Sequence, residues 1–302
     1  MTAPLDPAIE LILDAKPRSI DGFNVGRALP AATKRSVGPF VFVDHMGPAR
    51  LEPGRGLDVR PHPHINLATV TYLFDGEIMH KDSLGNAQVI RPGAINWMTA
   101  GRGIVHSERS PAEARATGPQ LHGLQLWVAL PTRDEESEPR FSHHPQDTLP
   151  EQSDGGVRMR VLAGGAYGLK APVPVSSPLF YVEVELAPGA SLPMPNDHEE
   201  RSVYLVSGDA EVGDMPLPQR SLAVLAHGKP AVLKAKTATR AMLLGGARLD
   251  GPRYMFWNFV SSRKERIEEA ARAWKAGEFP LVPGDDKEHI PLDVEPKFSE
   301  RA

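Results

Sequence analysis

Residues 20–130 contain short apolar segments that glycine and proline interrupt at close intervals. Residues 69–74 are rich in β-branched and aromatic side chains, and Asp75-Gly76 follows them as a hairpin-type turn signal. Residues 124–128 predict another strand. Many short strands separated by turns are typical of an antiparallel sandwich or barrel, so the pattern predicts an all-β fold.

Strand-like patterns return in the second half of the chain. In residues 180–186, apolar side chains alternate with Tyr181, Glu183 and Glu185, which is the period-two pattern of a half-buried strand. Residues 221–225 predict a further strand. The second half is therefore also expected to be built from β-strands.

One short helix is predicted near the end of the chain, over residues 262–276. Ser262 and Glu265 have the spacing of a capping box, and Gly277 is a stop signal. Its predicted apolar face consists of Ile267, Ala271 and Trp274.

Residues 131–156 are polar and are interpreted as a linker or long surface loop. This segment divides the chain into a predicted N-terminal domain, residues 1–134, and a C-terminal domain, residues 135–302.

A faint internal repeat relates the two domains. Residues 72–76 resemble residues 204–208, and residues 94–101 loosely match residues 221–228. The repeat indicates two related barrels, although two hydrophobic strands can also resemble each other by chance.

The composition narrows the function classes. A net charge of −4 and a pI of about 6.3 give no electrostatic reason to expect nucleic-acid binding. The sequence shows neither a signal peptide nor an apolar run of membrane-spanning length, so no membrane association and a cytoplasmic location are expected. The chain has no cysteine, so a metal would have to be held by histidine and carboxylate ligands.

Two short motifs carry candidate metal ligands. His62 and His64 are two residues apart, as are His106 and Glu108, and residues with this spacing point to the same face of a strand. If the two strands face each other across a barrel, three imidazoles and one carboxylate converge. Such a donor set suits Fe, Ni, Cu, Mn or Zn.

The segments around these motifs resemble the pirin family of the cupin superfamily. The resemblance lies in residues 60–72, in residues 97–108 (WMTAGRGIVHSE) and in residues 121–131. It implies two tandem antiparallel cupin barrels with one metal, usually iron, in the N-terminal domain. The ligands that it implies are His62, His64, His106 and Glu108.

The sequence departs from the pirin pattern at Ala68, where pirins usually carry a glutamate that corresponds to a metal-site carboxylate in other cupins. Without it, Glu108 or a bound water would have to act as the base. His80, beside Lys81 and beyond a turn, is expected to be exposed to solvent.

At the repeat offsets, the ligand positions carry other residues, so the C-terminal domain is predicted to be metal-free. These residues are Met194, Asn196, Leu233 and Ala235.

The resemblance implies two functions of different classes. The first is a metal-dependent dioxygenase of quercetin 2,3-dioxygenase type with a small aromatic substrate such as a flavonol. The expected ion is Fe(II), with Ni, Co, Cu, Mn or Zn left open. The second is a non-enzymatic redox-sensing protein whose metal controls binding to a protein partner. A vestigial site, marked by Ala68, is a third reading.

Overall fold

The computed structural model describes residues 5–298 and confirms the all-β prediction, with 50% of the chain in strands and 8% in helices. The first strands are β1 (Ile9–Asp14), β2 (Lys16–Ile20), β3 (Phe23–Leu29), β4 (Phe40–Arg50), β5 (Asp58–His64), β6 (Leu67–Gly76), β7 (Ile78–Asp82), β8 (Ala87–Ile90), β9 (Ile95–Thr99), β10 (Ile104–Arg109), β11 (Gln120–Ala129) and β12 (Arg140–His144). The later strands are β13 (Glu151–Asp154), β14 (Val157–Ala166), β15 (Leu169–Lys170), β16 (Leu179–Leu186), β17 (Ser191–Pro193), β18 (Glu200–Ser207), β19 (Ala210–Val212), β20 (Met215–Leu217), β21 (Ser221–Leu225), β22 (Val232–Ala235), β23 (Thr239–Gly246), β24 (Tyr254–Phe256) and β25 (Phe259–Ser261). The α-helices are α1 (Ala112–Thr117) and α2 (Lys264–Lys275).

The first of two compact units contains Met1–Pro17, Gly26–His45 and Asp147–Arg248. Its larger sheet has the order β1-β21-β18-β23-β16-β14-β13, with β15 paired to β14, and its smaller sheet has the order β17-β22-β19-β20. Apolar side chains of both sheets, such as Val182 and Leu233, form its core.

The second compact unit contains Arg18–Val25, Met46–Gln146 and Leu249–Ala302. Its strands belong to a four-stranded sheet of order β5-β10-β7-β8, to a seven-stranded sheet of order β12-β9-β6-β11-β4-β3-β2, and to the hairpin β24-β25. Helix α2 packs its apolar face against Ile65 and Phe259. Each unit combines residues from both sides of position 134, and the predicted domain limits stay a prediction.

The sheet order of the two units agrees with the predicted repeat. Strand β6 lies between β9 and β11, as β18 lies between β21 and β23, and the small sheets β5-β10-β7-β8 and β17-β22-β19-β20 have the same order. The matching turn residues Gly76 and Gly208 both have positive φ, 83° and 87°. Of the positions that match the ligands, Met194, Leu233 and Ala235 pack in the apolar core of the first unit.

The segment predicted as a linker contains a strand of the second unit. Strand β12 pairs with β9, with Ser142 opposite Trp97. The linker interpretation was wrong here because hydrogen bonds along the sheet edge order a segment of polar composition.

Helix α2 lies within the predicted range, but its predicted cap is wrong. Both the amide and the hydroxyl of Ser262 donate to the buried carboxylate of Glu135, at 2.7 Å each, and the N-cap residue is Arg263. A buried acceptor therefore replaces the capping box. The predicted end is confirmed, since the Gly277 amide donates to the Trp274 carbonyl with φ at 72°.

Strand β16 is buried on both faces, whereas the alternation had predicted a half-buried strand. Glu183 on its polar face is buried because Arg160 lies 3.2 Å away and Arg240 lies 3.5 Å away. The arginines neutralise the carboxylate, so the strand keeps a polar pattern inside the protein.

Candidate metal centre

Two neighbouring strands of the second unit carry the three histidines. Strand β5 holds His62 and His64, and β10 pairs with it in antiparallel register, with His106 directly opposite His62. The strands are hydrogen-bonded neighbours in one sheet and do not face each other across a barrel as predicted. The i, i+2 spacing and the register bring all three buried imidazoles to one face.

The three rings form a compact cluster. One donor atom from each of His62, His64 and His106 lies within 4.8 Å of the other two. The Nε2 atoms of His64 and His106 are 3.1 Å apart. Two nitrogens bound at right angles to one ion at about 2.1 Å would lie about 3.0 Å apart, so the cluster fits a first-row transition metal.

The outer nitrogens of two rings are fixed by backbone carbonyls. His62 Nδ1 donates to the Arg60 carbonyl at 2.8 Å, and His64 Nδ1 donates to the Asn258 carbonyl at 2.9 Å. Because a carbonyl only accepts, each ring carries its hydrogen on Nδ1 and presents a bare Nε2 to the cluster.

Burial makes these rings neutral. It lowers the pKa of His62 to about 4, although the Arg60 carbonyl raises that pKa in part. Burial also lowers the pKa values of His64 and His106 well below the usual range of histidine. Neutral imidazole is the form that binds a metal, so the cluster is ready to do so at neutral pH.

A fourth histidine that the sequence interpretation missed lies behind the cluster. His80 was expected to be exposed, but it is 4% exposed, and its Nδ1 lies 3.4 Å from His106 Nδ1. Strand β7 pairs with β10 so that His80 is opposite Glu108 and Asp82 is opposite His106. The sequence did contain a pattern that could have identified His80, since His80 and Asp82 have the same i, i+2 spacing as His62 and His64.

Glu108 lies near the histidines but outside the group whose donor atoms are within 4.8 Å of one another, as far as residues 5–298 show. A β-bulge follows His106 in its pairing with β5, and Glu108 is opposite Val59. The Glu108 carboxylate is 3.2 Å from the Thr71 hydroxyl. Burial raises the pKa of the Glu108 carboxyl. Hydrogen bonds from Thr71 and Gln125 offset part of this increase. Its role as a fourth ligand stays a prediction.

Ala68 lies on the face of β6 that points away from the histidines. Thr69 is opposite Trp127, whose ring contacts His64 with 5.1 Å between centroids, and Thr71 contacts Glu108. Alternation along the strand directs Ala68 to the other face. The absence of a glutamate at position 68 therefore removes no group from the face of the metal cluster.

The C-terminal part of the second unit completes the surroundings of His64. Asn258 lies in the turn of the β24-β25 hairpin, and Phe259 forms a parallel bridge with Ile65. In this turn Trp257 has a φ of 53°, which is unusual for a bulky residue. No local sequence pattern links Asn258 to His64, because the two are 194 positions apart.

Comparisons with known proteins agree with this arrangement. Residues 22–128 match the family model described as Pirin, and residues 181–280 match the Pirin C-terminal cupin domain. The chain belongs to the pirin family. It is 50% identical to a pirin-like protein from Caulobacter vibrioides over 94% of this chain and 99% of that protein, and 33% identical to human pirin over 82% and 85%.

A solved structure has a similar fold. The crystal structure of a quercetin 2,3-dioxygenase from Acinetobacter baumannii matches with a TM-score of 0.89 and 34% identity, covering 96% of each chain. Among the residues that the structure describes, neither helix is long and apolar enough to span a bilayer.

Proposed function

We propose that this pirin is a metal-dependent dioxygenase of quercetin 2,3-dioxygenase type that acts on a flavonol or another small aromatic substrate. The observation that carries the proposal is the buried cluster of three neutral imidazoles, His62, His64 and His106, with a separation that fits one ion. The similarity to the Acinetobacter baumannii quercetin 2,3-dioxygenase supports the substrate class.

The proposed ion is Fe(II), held by the three histidines with Glu108 as the fourth ligand. Imidazole nitrogens also suit Co, Ni, Cu, Mn and Zn, so the choice among them depends on supply as well as on the donor set. A bound divalent ion would lower the pKa of a flavonol hydroxyl and provide coordination positions for the oxygen chemistry.

Glu108 is the proposed acceptor of the proton that the flavonol hydroxyl loses. Burial raises the pKa of its carboxyl, and a more basic carboxylate accepts a proton more readily. The Thr71 hydroxyl lies 3.2 Å from Glu108 Oε1, and it also lies 2.8 Å from Gln125 Oε1. These two side chains hold the carboxylate in place, and Trp127 covers the neighbouring edge of His64.

Reloading stripped protein with single metals tests this function. Protein freed of metal with a chelator is loaded separately with Fe, Co, Ni, Cu or Mn, and the loading is measured by elemental analysis. At least one loaded form is expected to bleach the visible absorbance of quercetin with oxygen uptake. His106→Ala should lose both metal and turnover, whereas His227→Ala, which changes a residue of the first unit, should keep both. An absence of turnover in every fully loaded form would contradict the proposal.

One contact favours the second function, a redox-sensing protein. His64 donates to Asn258, the adjacent Trp257 ring lies 6.2 Å from the Trp274 ring of α2, and α2 has exposed polar side chains. A change in the charge of the ion would act on His64 and then on this surface helix, where a protein partner could bind.

Hydrogen exchange separates the two functions. A redox sensor is expected to exchange differently in α2 between the Fe(II) and Fe(III) forms and to show no quercetin turnover. Turnover without any difference in exchange would exclude the sensor.

A further inference from the structure

We infer that Asp82 and His80 are positioning residues that fix the tautomer of His106, so that its Nε2 is free to bind the metal. The inference rests on the proposed metal site but not on dioxygenase activity. It concerns two buried residues of β7 that lie outside the cluster of His62, His64 and His106.

The Asp82 carboxylate determines where the hydrogen of His80 lies. Its Oδ1 accepts from the amides of Leu84 and Asn86, at 3.0 and 3.1 Å. Its Oδ2 lies 2.9 Å from Asn86 Nδ2 and 3.0 Å from His80 Nε2. An ionised carboxylate is an acceptor at both oxygens, so His80 carries a hydrogen on Nε2.

The same reasoning extends to His106. A His80 ring with a single hydrogen, on Nε2, has a bare Nδ1, and this atom lies 3.4 Å from His106 Nδ1. His106 must therefore carry its hydrogen on Nδ1, because two bare nitrogens would otherwise face each other. Its Nε2 is then bare, opposite the bare Nε2 of His64 at 3.1 Å. A cation between these two atoms relieves their repulsion.

Packing holds the His80 ring in the required orientation. The Phe141 ring of β12 stacks on it with 4.4 Å between centroids and an angle of 11° between planes. The register of β7 on β10, with Asp82 opposite His106, fixes the positions of both residues. The hydrogen-bonded series Asp82–His80–His106, called the relay below, therefore has little freedom to rearrange.

The first experiment measures Ni(II) affinity by competition with a chelator. Asp82→Asn places an amide donor against His80 Nε2, which favours the wrong tautomer, and His80→Phe removes the acceptor but keeps a ring against Phe141. Each variant is expected to bind Ni(II) about 10–100-fold more weakly than wild type. Because Asp82 acts through His80, adding Asp82→Asn to His80→Phe should cause no further loss.

A matched control separates the relay from the turn that Asp82 also stabilises. Asn86→Ala removes donors to the same carboxylate without touching His80, and its Ni(II) affinity should stay within about threefold of wild type. Circular dichroism and thermal unfolding show whether each variant is folded. If Asp82→Asn does not fold, His80→Phe alone still tests the inference.

Nitrogen-15 NMR of histidine in the metal-free protein reads the tautomer directly, because no metal on Nε2 then determines where the hydrogen lies. Wild type should show the His106 hydrogen on Nδ1, and Asp82→Asn should lose that signal or shift it. Wild-type Ni(II) affinity in folded His80→Phe would overturn the inference, as would a His106 hydrogen on Nε2. These readouts do not involve quercetin, so an enzyme that binds metal through the relay but shows no turnover would refute the dioxygenase proposal alone.

Discussion

His64 donates its Nδ1 hydrogen to the backbone carbonyl of Asn258, across 2.9 Å and 194 positions of chain. The carbonyl is held in a two-residue hairpin turn whose other residue, Trp257, has a φ of 53°. A proposed metal ligand is thus oriented by a backbone conformation that glycine adopts easily and a β-branched residue does not.

Two substitutions of Trp257 should therefore differ in their effect on metal binding. Trp257→Gly and Trp257→Val both remove the ring, but glycine keeps the positive φ while valine disfavours it. Trp257→Val is expected to bind Ni(II) about tenfold more weakly than Trp257→Gly, because the Asn258 carbonyl moves away from His64. Equal affinities in the two folded variants would show that the turn does not position the ligand.

The substitution Glu108→Gln tests whether Glu108 acts as the base, as a metal ligand, or as both. The amide keeps the shape of the side chain but accepts no proton, so quercetin turnover should fall by about 10²–10⁴-fold. If Glu108 is also a ligand, Ni(II) affinity should fall as well, and if it is a base alone, affinity should stay within a few-fold of wild type. Unchanged turnover would exclude Glu108 as the base.

Restoring a glutamate at position 68 should destabilise the protein. Ala68 is fully buried on the face away from the cluster, so Ala68→Glu buries a carboxyl without adding a metal ligand. Ala68→Gln, of nearly equal volume, is the control for overpacking. At pH 7, Ala68→Glu should be less stable than Ala68→Gln by about 3 kcal/mol in urea unfolding, with the same Ni(II) affinity.

The stability difference at position 68 should depend on pH. Burial raises the pKa of the introduced carboxyl in the folded protein above its unfolded value of about 4.3. The neutral form predominates in both states below that value, so the two variants should be similar at pH 4. The free energy of unfolding of Ala68→Glu should therefore fall further below that of Ala68→Gln as the pH rises. A difference that does not change with pH would place the side chain in contact with solvent.

The neighbouring residues Glu135 and Glu136 should differ sharply in their contribution to the free energy of unfolding. Glu135 is buried, lies 3.1 Å from the buried Arg253 guanidinium and accepts from Ser262. Glu135→Ala should lower the free energy of unfolding by about 3 kcal/mol because it leaves buried donors unpaired. Glu136 is about half exposed, and Glu136→Ala should cost less than about 1 kcal/mol. Similar values for both would contradict the described burial of Glu135.

Local patterns predicted much of this fold. Strand periodicity located β6, β16 and β21, and the i, i+2 spacing placed His62 and His64 on one face of a strand. These features depend on residues close together in the sequence, where strand geometry alone fixes the direction of each side chain.

The errors arose where distant residues decide the environment. The exposure of His80 depends on its pairing with β10, and the cap of α2 depends on Glu135, which accepts from Ser262. Polarity alone indicated solvent exposure for His80, and local spacing alone indicated a capping box at Ser262. Buried polar groups with specific partners have no simple sequence signature, because the partner comes from another part of the chain.

The contact between His64 and Asn258 also has a consequence for biosynthesis. At about 5–20 residues per second, the ribosome adds the 194 intervening positions in roughly 10–40 s. During that time the nascent chain already contains His62, His64 and His106, but the acceptor that orients His64 has not been made. Capture of the ion by a fully ordered centre is therefore a late event, which follows translation of the last strands.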